Sequence, residues 1–219
     1  MMSAGNTVLS DRLAACYTGV VHDVMRAAGL RDFVLPSNIR PLDPNLRLAG
    51  PAFTVEGRTQ EIDEDTTLRA WTGLLSKAPA GHVMVIQPCN REIAFMGELS
   101  AETLKLRGLR GVLIDGGCRD SDFILKLGFP LWATHCTPLD IVGRWRAERT
   151  GDRVRIGNVA IRHGDYVCCD RDGAIVIPAE CAEEITRLAE EALGKESLVR
   201  KAILAGVDPQ EAYIRYGKF

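Results

Sequence analysis

The chain has 219 residues, 46% hydrophobic and 26% charged, a length and balance suited to one compact domain with a sizeable core. A net charge of −2 and a pI near 6.1 give no basic footprint for nucleic acid. No uninterrupted apolar stretch approaches the roughly 20 residues that cross a bilayer, so neither a membrane nor a nucleic acid is expected as a partner.

The first residues, MMSAGNTVLSDRLAAC, lack the basic region and apolar core of a secretory signal. Leu9, Leu13, Val20, Val21, Val24 and Met25 then recur with helical spacing, with Ser10-Asp11 and Thr18-Gly19 as caps or breaks and Gly29 as a stop. Four prolines (Pro36, Pro41, Pro44, Pro51) mark a loop. Short apolar runs at 52–55, 83–86, 93–95, 112–115 and 131–134 read as strands, alternating with helices at 65–77, 98–107 and 121–127. That alternation predicts an α/β layer structure with buried, partly parallel strands. The acidic run EIDED before the helix at 65–77 reads as a charged entrance capped by Asp63 or Asp65. The Arg-rich stretch from Arg144 to Arg155 alternates with acids and reads as solvated surface. From 152 onward, RVRIG, VAIRHGD, YVCCD and AIVIP predict consecutive short strands forming a second sheet or barrel. A helix over 179–205 and a short amphipathic tail complete the pattern.

Seven cysteines, an odd number with no CxxC spacing, predict a reduced, cytoplasmic protein without a zinc site. No GxGxxG, GxxxxGK[ST] or GxSxG motif occurs, which disfavours a classical nucleotide enzyme or serine hydrolase. Asp170 and Asp172 read as hairpin-turn residues, and His22 and His135 have no visible partner.

Two stretches carry possible chemistry. GVLIDGGCRD at 111–120 ends an apolar strand in a Gly-Gly turn, then Arg119 and Asp120. An arginine fork grips a carboxylate or 2-oxo acid, and an aspartate offers hard oxygens to Mg²⁺ or Mn²⁺. The alternative is that Asp120 or Ser121 merely caps the next helix. Upstream, Gly97-Glu98 opens a helix whose first N–H groups suit an anion. Alternatively, Glu98 only complements the helix dipole.

Taken together, IDGGCRD, GELSAETLKLRG and GDYVCCDRDGAIVIP resemble the RraA-like family, over roughly residues 8–205. That family includes the 4-hydroxy-4-methyl-2-oxoglutarate aldolases, which are class II, metal-dependent pyruvate aldolases. The resemblance implies one domain over 1–219 with a layered αββα, swivelling-domain-like fold, a β-rich second half and a C-terminal helical extension over about 179–219. The family's aldolases carry an aspartate, twenty intervening residues, then Arg-Asp; here Glu98 stands at the aspartate position and Arg119-Asp120 completes the motif.

By resemblance, Asp120 holds Mg²⁺ or Mn²⁺, Glu98 acts on the metal through water, and Glu196 approaches it from a neighbouring subunit. Arg119 binds the pyruvyl carboxylate and keto oxygen, and the backbone at Gly97, Glu98, Leu99 and Ser100 binds the substrate carboxylate. The implied reaction is retro-aldol cleavage of a 4-hydroxy-2-oxo acid to pyruvate, with oxaloacetate decarboxylation through the same enolate. A homotrimer or homohexamer is implied as well. Other members of the family act instead as non-catalytic regulators that bind an RNA-degradation enzyme.

Overall fold

The computed structural model describes residues 4–217. The N-terminal periodicity forms two helices rather than one, α1 (Ala4–Ala15) and α2 (Thr18–Ala27). Asp170, distant in sequence, explains the break. Its buried carboxylate accepts from the Thr18 N–H at 2.7 Å and the Thr18 hydroxyl at 2.8 Å, satisfying a donor that a first turn leaves open. The same carboxylate accepts from the Asp172 N–H, so its turn role holds too.

The remaining elements follow in order: β1 (Arg40–Pro41), β2 (Leu48–Thr59), α3 (Glu64–Lys77), β3 (Val83–Gln87), α4 (Glu98–Leu106), β4 (Gly111–Ile114), β5 (Gly117–Cys118), α5 (Ser121–Leu127), β6 (Leu131–Ala133), β7 (His135–Cys136) and β8 (Trp145–Thr150). Then come β9 (Val154–Ile156), β10 (Val159–Ile161), β11 (Tyr166–Cys169), β12 (Ala174–Ile177), a 3₁₀ turn (Ala179–Cys181), α6 (Ala182–Leu204) and α7 (Pro209–Tyr216). Asp63 caps α3 as anticipated, accepting from the Thr66 N–H at 2.9 Å. Among the described residues, no helix is long and apolar enough to cross a membrane.

The main sheet runs β1-β6-β4-β3-β2-β11-β12, parallel in the middle and antiparallel toward both ends. β3 and β4 are buried along both faces, which is why they read as unbroken apolar runs. One face packs on α3, α4 and α5 through Trp71, Leu74, Ala101, Leu104 and Ile124. The other packs on the β9–β10 hairpin through Val154, Ile156, Val159 and Ile161. α1, α2 and α6 cover β11 and β12. The result is a mixed α/β fold with a curled sheet and a C-terminal helix.

Three expectations change. β11 joins the main sheet by pairing with the first half of β2 and β12 pairs with β11, so of these four strands β9 and β10 alone stand apart, as a hairpin. Residues 93–95 contribute one isolated bridge, Ala94 to Gly117, rather than a strand. The Arg-rich stretch is exposed, as expected, but it also forms β8, tied to β2 by Arg58–Glu148 at 2.5 Å and Arg149–Glu56 at 2.7 Å.

β8 begins at Trp145, which is fully buried and donates its indole N–H to the Pro88 carbonyl at 2.9 Å. Its ring packs edge-on against Phe95 and Trp71. Gly57 makes room for it. A Cβ there would lie 2.1 Å from Trp145 Cζ2 and 2.6 Å from the Arg146 carbonyl. Because one of those atoms is backbone, Gly57→Ala should destabilise the fold by about 2–3 kcal/mol, read from urea midpoints. A midpoint equal to wild type would contradict the packing described.

Candidate active site

The Gly-Gly turn carries the chain from β4 into β5 through a narrow passage. A Cβ at Gly117 would sit 2.9 Å from both His135 Nε2 and the Ile93 carbonyl, so only glycine fits without displacing backbone. Beyond it, the Arg119 N–H donates to the Met96 carbonyl at 2.8 Å, drawing this segment against the residues that open α4.

Asp120 precedes α5 in the left-handed region, φ 54° and ψ 38°. Its side chain makes no capping bond to α5. Instead Asp120 Oδ2 accepts from the Glu98 N–H at 3.1 Å, at the N-terminus of α4. The local helix-cap alternative is thereby replaced by a contact between two helix starts. One consequence concerns the α4 amides: the Glu98 N–H is already taken, while those of Leu99 and Ser100 find no acceptor within the helix.

Arg119 lies between two carboxylates. Its Nη1 donates to Asp140 Oδ2 at 2.9 Å, and its Nε lies 3.5 Å from Asp120 Oδ2. These contacts fix the guanidinium plane and leave Nη2 without a hydrogen bond among the described residues. Asp140 escaped the sequence reading because it sits in an aperiodic loop. Its only local signal is an Asx turn, with Oδ1 accepting from the Val142 N–H at 3.1 Å.

Gly97, Glu98, Leu99, Ser100, Arg119, Asp120 and Asp140 all line one cleft of about 460 Å³, closed on its other side by α3 and residues 141–142. Glu196 does not line it. It lies on α6 and accepts a hydrogen bond from the Tyr17 hydroxyl; burial, helped by this bond, pushes the Tyr17 phenol up to about 12. Within one chain, then, Glu196 is apart from Asp120. His22 packs on Phe33 and His135 contacts Thr134, so neither lines the cleft. Asp120 and Glu98 supply hard oxygen donors, but among the described residues no group of three or more His, Cys, Asp or Glu could hold a metal.

The cysteines show one pairing that sequence adjacency does not reveal. Cys118 and Cys136 face each other across β5 and β7, with Sγ atoms 3.7 Å apart. Burial pushes the Cys118 thiol up to about 12 and raises Cys168 and Cys169 as well. Since the thiolate is the nucleophile, iodoacetamide at neutral pH should label exposed Cys89 and Cys136 well before Cys118, Cys168 or Cys169. Peptide mass mapping of the native protein reads this order, and early labelling of Cys168 or Cys169 would contradict it.

The model describing the RraA-like family, Aldolase/RraA, matches residues 18–176. A relative from Halalkalibacterium halodurans, provisionally named a 4-hydroxy-4-methyl-2-oxoglutarate aldolase, is 31% identical over 185 residues, covering 82% of this chain and 83% of that protein. Protein DlpA of Legionella pneumophila is 24% identical over 208 residues, covering 93% of this chain but 33% of that longer protein. The chain thus spans about a third of its length. Among solved structures, Streptomyces coelicolor RraAS2, described as an unusual member of the RNase ES inhibitor RraA protein family, superposes with a TM-score of 0.76 at 28% identity, covering 88% of this chain and 95% of that one. With the family model spanning most of its length, the chain belongs to the RraA-like family.

Proposed function

We propose that the protein is a divalent-metal-dependent C–C lyase that cleaves 4-hydroxy-2-oxo acids to pyruvate and decarboxylates oxaloacetate through the same enolate. The observation that carries this reading is the left-handed Asp120, whose carboxylate turns from its own helix toward Glu98 beside an arginine held in plane. The donor chemistry fits Mg²⁺ or Mn²⁺. Among the described residues Asp120 Oδ1 accepts no hydrogen bond and Glu98 holds no ion pair, and magnesium characteristically takes one or two carboxylates and completes its shell with water. When bound, such an ion supplies positive charge that stabilises the enolate oxygen.

The chain's own residues account for the rest. Arg119 Nη2 and the Leu99 and Ser100 N–H groups hold the substrate carboxylate and orient the 2-oxo group. Glu98 receives the C4 hydroxyl proton, directly or through water. The C3–C4 bond breaks, its electron pair passes to the 2-oxo group as the enolate, and C4 departs as a carbonyl. Protonation at C3 gives pyruvate. Loss of carbon dioxide from oxaloacetate yields the same enolate, so one site serves both reactions. The reading includes a homotrimer or homohexamer in which Glu196 of a neighbouring subunit approaches Asp120.

Purified protein with Mg²⁺ should release pyruvate from 4-hydroxy-2-oxo acids and from oxaloacetate, and chelation should stop it. No release from either, with Mg²⁺ or Mn²⁺, overturns the proposal. The likeness to RraAS2 supports a second reading, a regulator of an RNA-degradation enzyme. Recovery of such an enzyme by a catalytically silent protein would favour it.

A further inference from the structure

The α3–α4 cleft lies on one face of the main sheet, and the other face carries a second polar cavity. Val83 and Val85 of β3 and Leu113 of β4 point toward the β9–β10 hairpin. Side chains alternate along a strand, so Gln87 and Asp115, two positions further on, share that face. Glu56, four positions beyond the similarly placed Ala52, pairs in parallel register with Gln87. The Asp115 N–H donates to the Ile86 carbonyl at 3.1 Å and so continues the ladder between β3 and β4. Glu56, Gln87 and Asp115 thus form a row across the carboxyl ends of three adjacent parallel strands, where ligands gather in α/β sheets. They line one cavity of about 680 Å³ together with Arg153 and Arg155, which flank Val154 at β9.

Asp115 carries an unmet bond. It is only 5% exposed, and its Oδ2 accepts from Arg91 Nη2 at 2.9 Å. Its Oδ1 is buried with no hydrogen-bond partner among the described residues. A buried carboxylate oxygen left unpaired is costly, so this atom calls for a donor from a molecule in the cavity.

The cations lining the cavity outnumber the acids. Arg91 is held by Asp115, and Arg149 by Glu56 at 2.7 Å. Among the described residues Arg153 has no acid partner and Arg155 donates only to the Asn158 carbonyl, at 3.2 Å. Two guanidiniums left this way suit two carboxylates. With positive charge in excess, the donor that faces Asp115 is better a neutral hydroxyl than an ammonium.

We infer that this cavity is a second binding site, for a hydroxylated dicarboxylate whose carboxylates meet Arg153 and Arg155 and whose hydroxyl donates to Asp115 Oδ1. It stands independently of the lyase reading, since none of its residues lines the α3–α4 cleft.

Calorimetry on the purified protein should compare malate with succinate, which differs only in lacking the hydroxyl. Malate is expected to bind about tenfold or more tightly. Arg153→Gln, at an exposed position, should weaken malate binding by about tenfold, whereas Arg119→Gln should leave it unchanged. Asp115→Ala, with folding checked by its urea midpoint, should bring the two acids to within about twofold of each other. If that variant unfolds, the contrast between Arg153→Gln and Arg119→Gln still decides. Binding of neither acid overturns the inference, as does malate binding that survives Arg153→Gln intact or is lost in Arg119→Gln. Equal binding of malate and succinate by the wild type overturns the pairing of a ligand hydroxyl with Asp115.

Discussion

Asp120→Asn should lower kcat for pyruvate release by on the order of 10²–10³-fold while leaving the urea midpoint near wild type. The substitution separates charge from shape. Asparagine tolerates the left-handed backbone almost as readily as aspartate, and its side-chain oxygen can still accept the Glu98 N–H now 3.1 Å from Asp120 Oδ2. What disappears is the negative charge that would hold a divalent ion and balance Arg119. A purely structural Asp120 would be replaced by asparagine with little effect on turnover. Wild-type turnover in a folded Asp120→Asn protein would contradict a catalytic role for this carboxylate.

Gly97→Ala is expected to cost about 10²-fold in kcat/KM with a stability change within about 1 kcal/mol. Gly97 has φ −131° and ψ −175°, extended backbone open to any residue. Its constraint is proximity, because a Cβ would fall 2.5 Å from Asp120 Oδ2 and 3.2 Å from Arg119 Cγ and Nε. The atoms that must yield are side-chain atoms of the two proposed site residues. They can swing aside cheaply, so the fold survives and the geometry does not. Gly57→Ala gives the opposite signature, because there the crowding falls on Trp145 and the backbone at Arg146. Parallel kinetics and urea titrations on the two variants distinguish them. Unchanged kcat/KM in Gly97→Ala would show that Asp120 can shift without consequence.

What could be read from the sequence follows from the range of each interaction. The apolar runs of β3 and β4 and the Asp63 cap are local, and each appears where its residues predict. The long helix after residue 181 likewise follows from its own periodicity. β8 was hidden because its exposed Arg and Glu positions carry no apolar signal, and it is anchored inward by Trp145 with the small Ala147 beside it. The attachment of β11 to β2 rests on pairing between residues more than a hundred positions apart, which no local pattern encodes.

The site divides in the same way. The Gly-Gly turn, Arg119, Asp120 and the start of α4 were legible as types and spacing, and the last three meet in one cleft. The aim of the Asp120 carboxylate was not legible, because a single left-handed backbone conformation decides between its own helix and α4. Asp140 was missed because its link to Arg119 is a tertiary contact from a loop. The Cys118–Cys136 approach also depends on β5 lying beside β7.

The most direct test of the central claim is a crystal structure of the protein with Mn²⁺ and oxalate, an unreactive mimic of the pyruvate enolate, using the anomalous signal to locate the metal. The account predicts manganese bound by the Asp120 carboxylate, with oxalate between it and the Arg119 guanidinium. Manganese away from Asp120, or Arg119 turned from the oxalate, would contradict it.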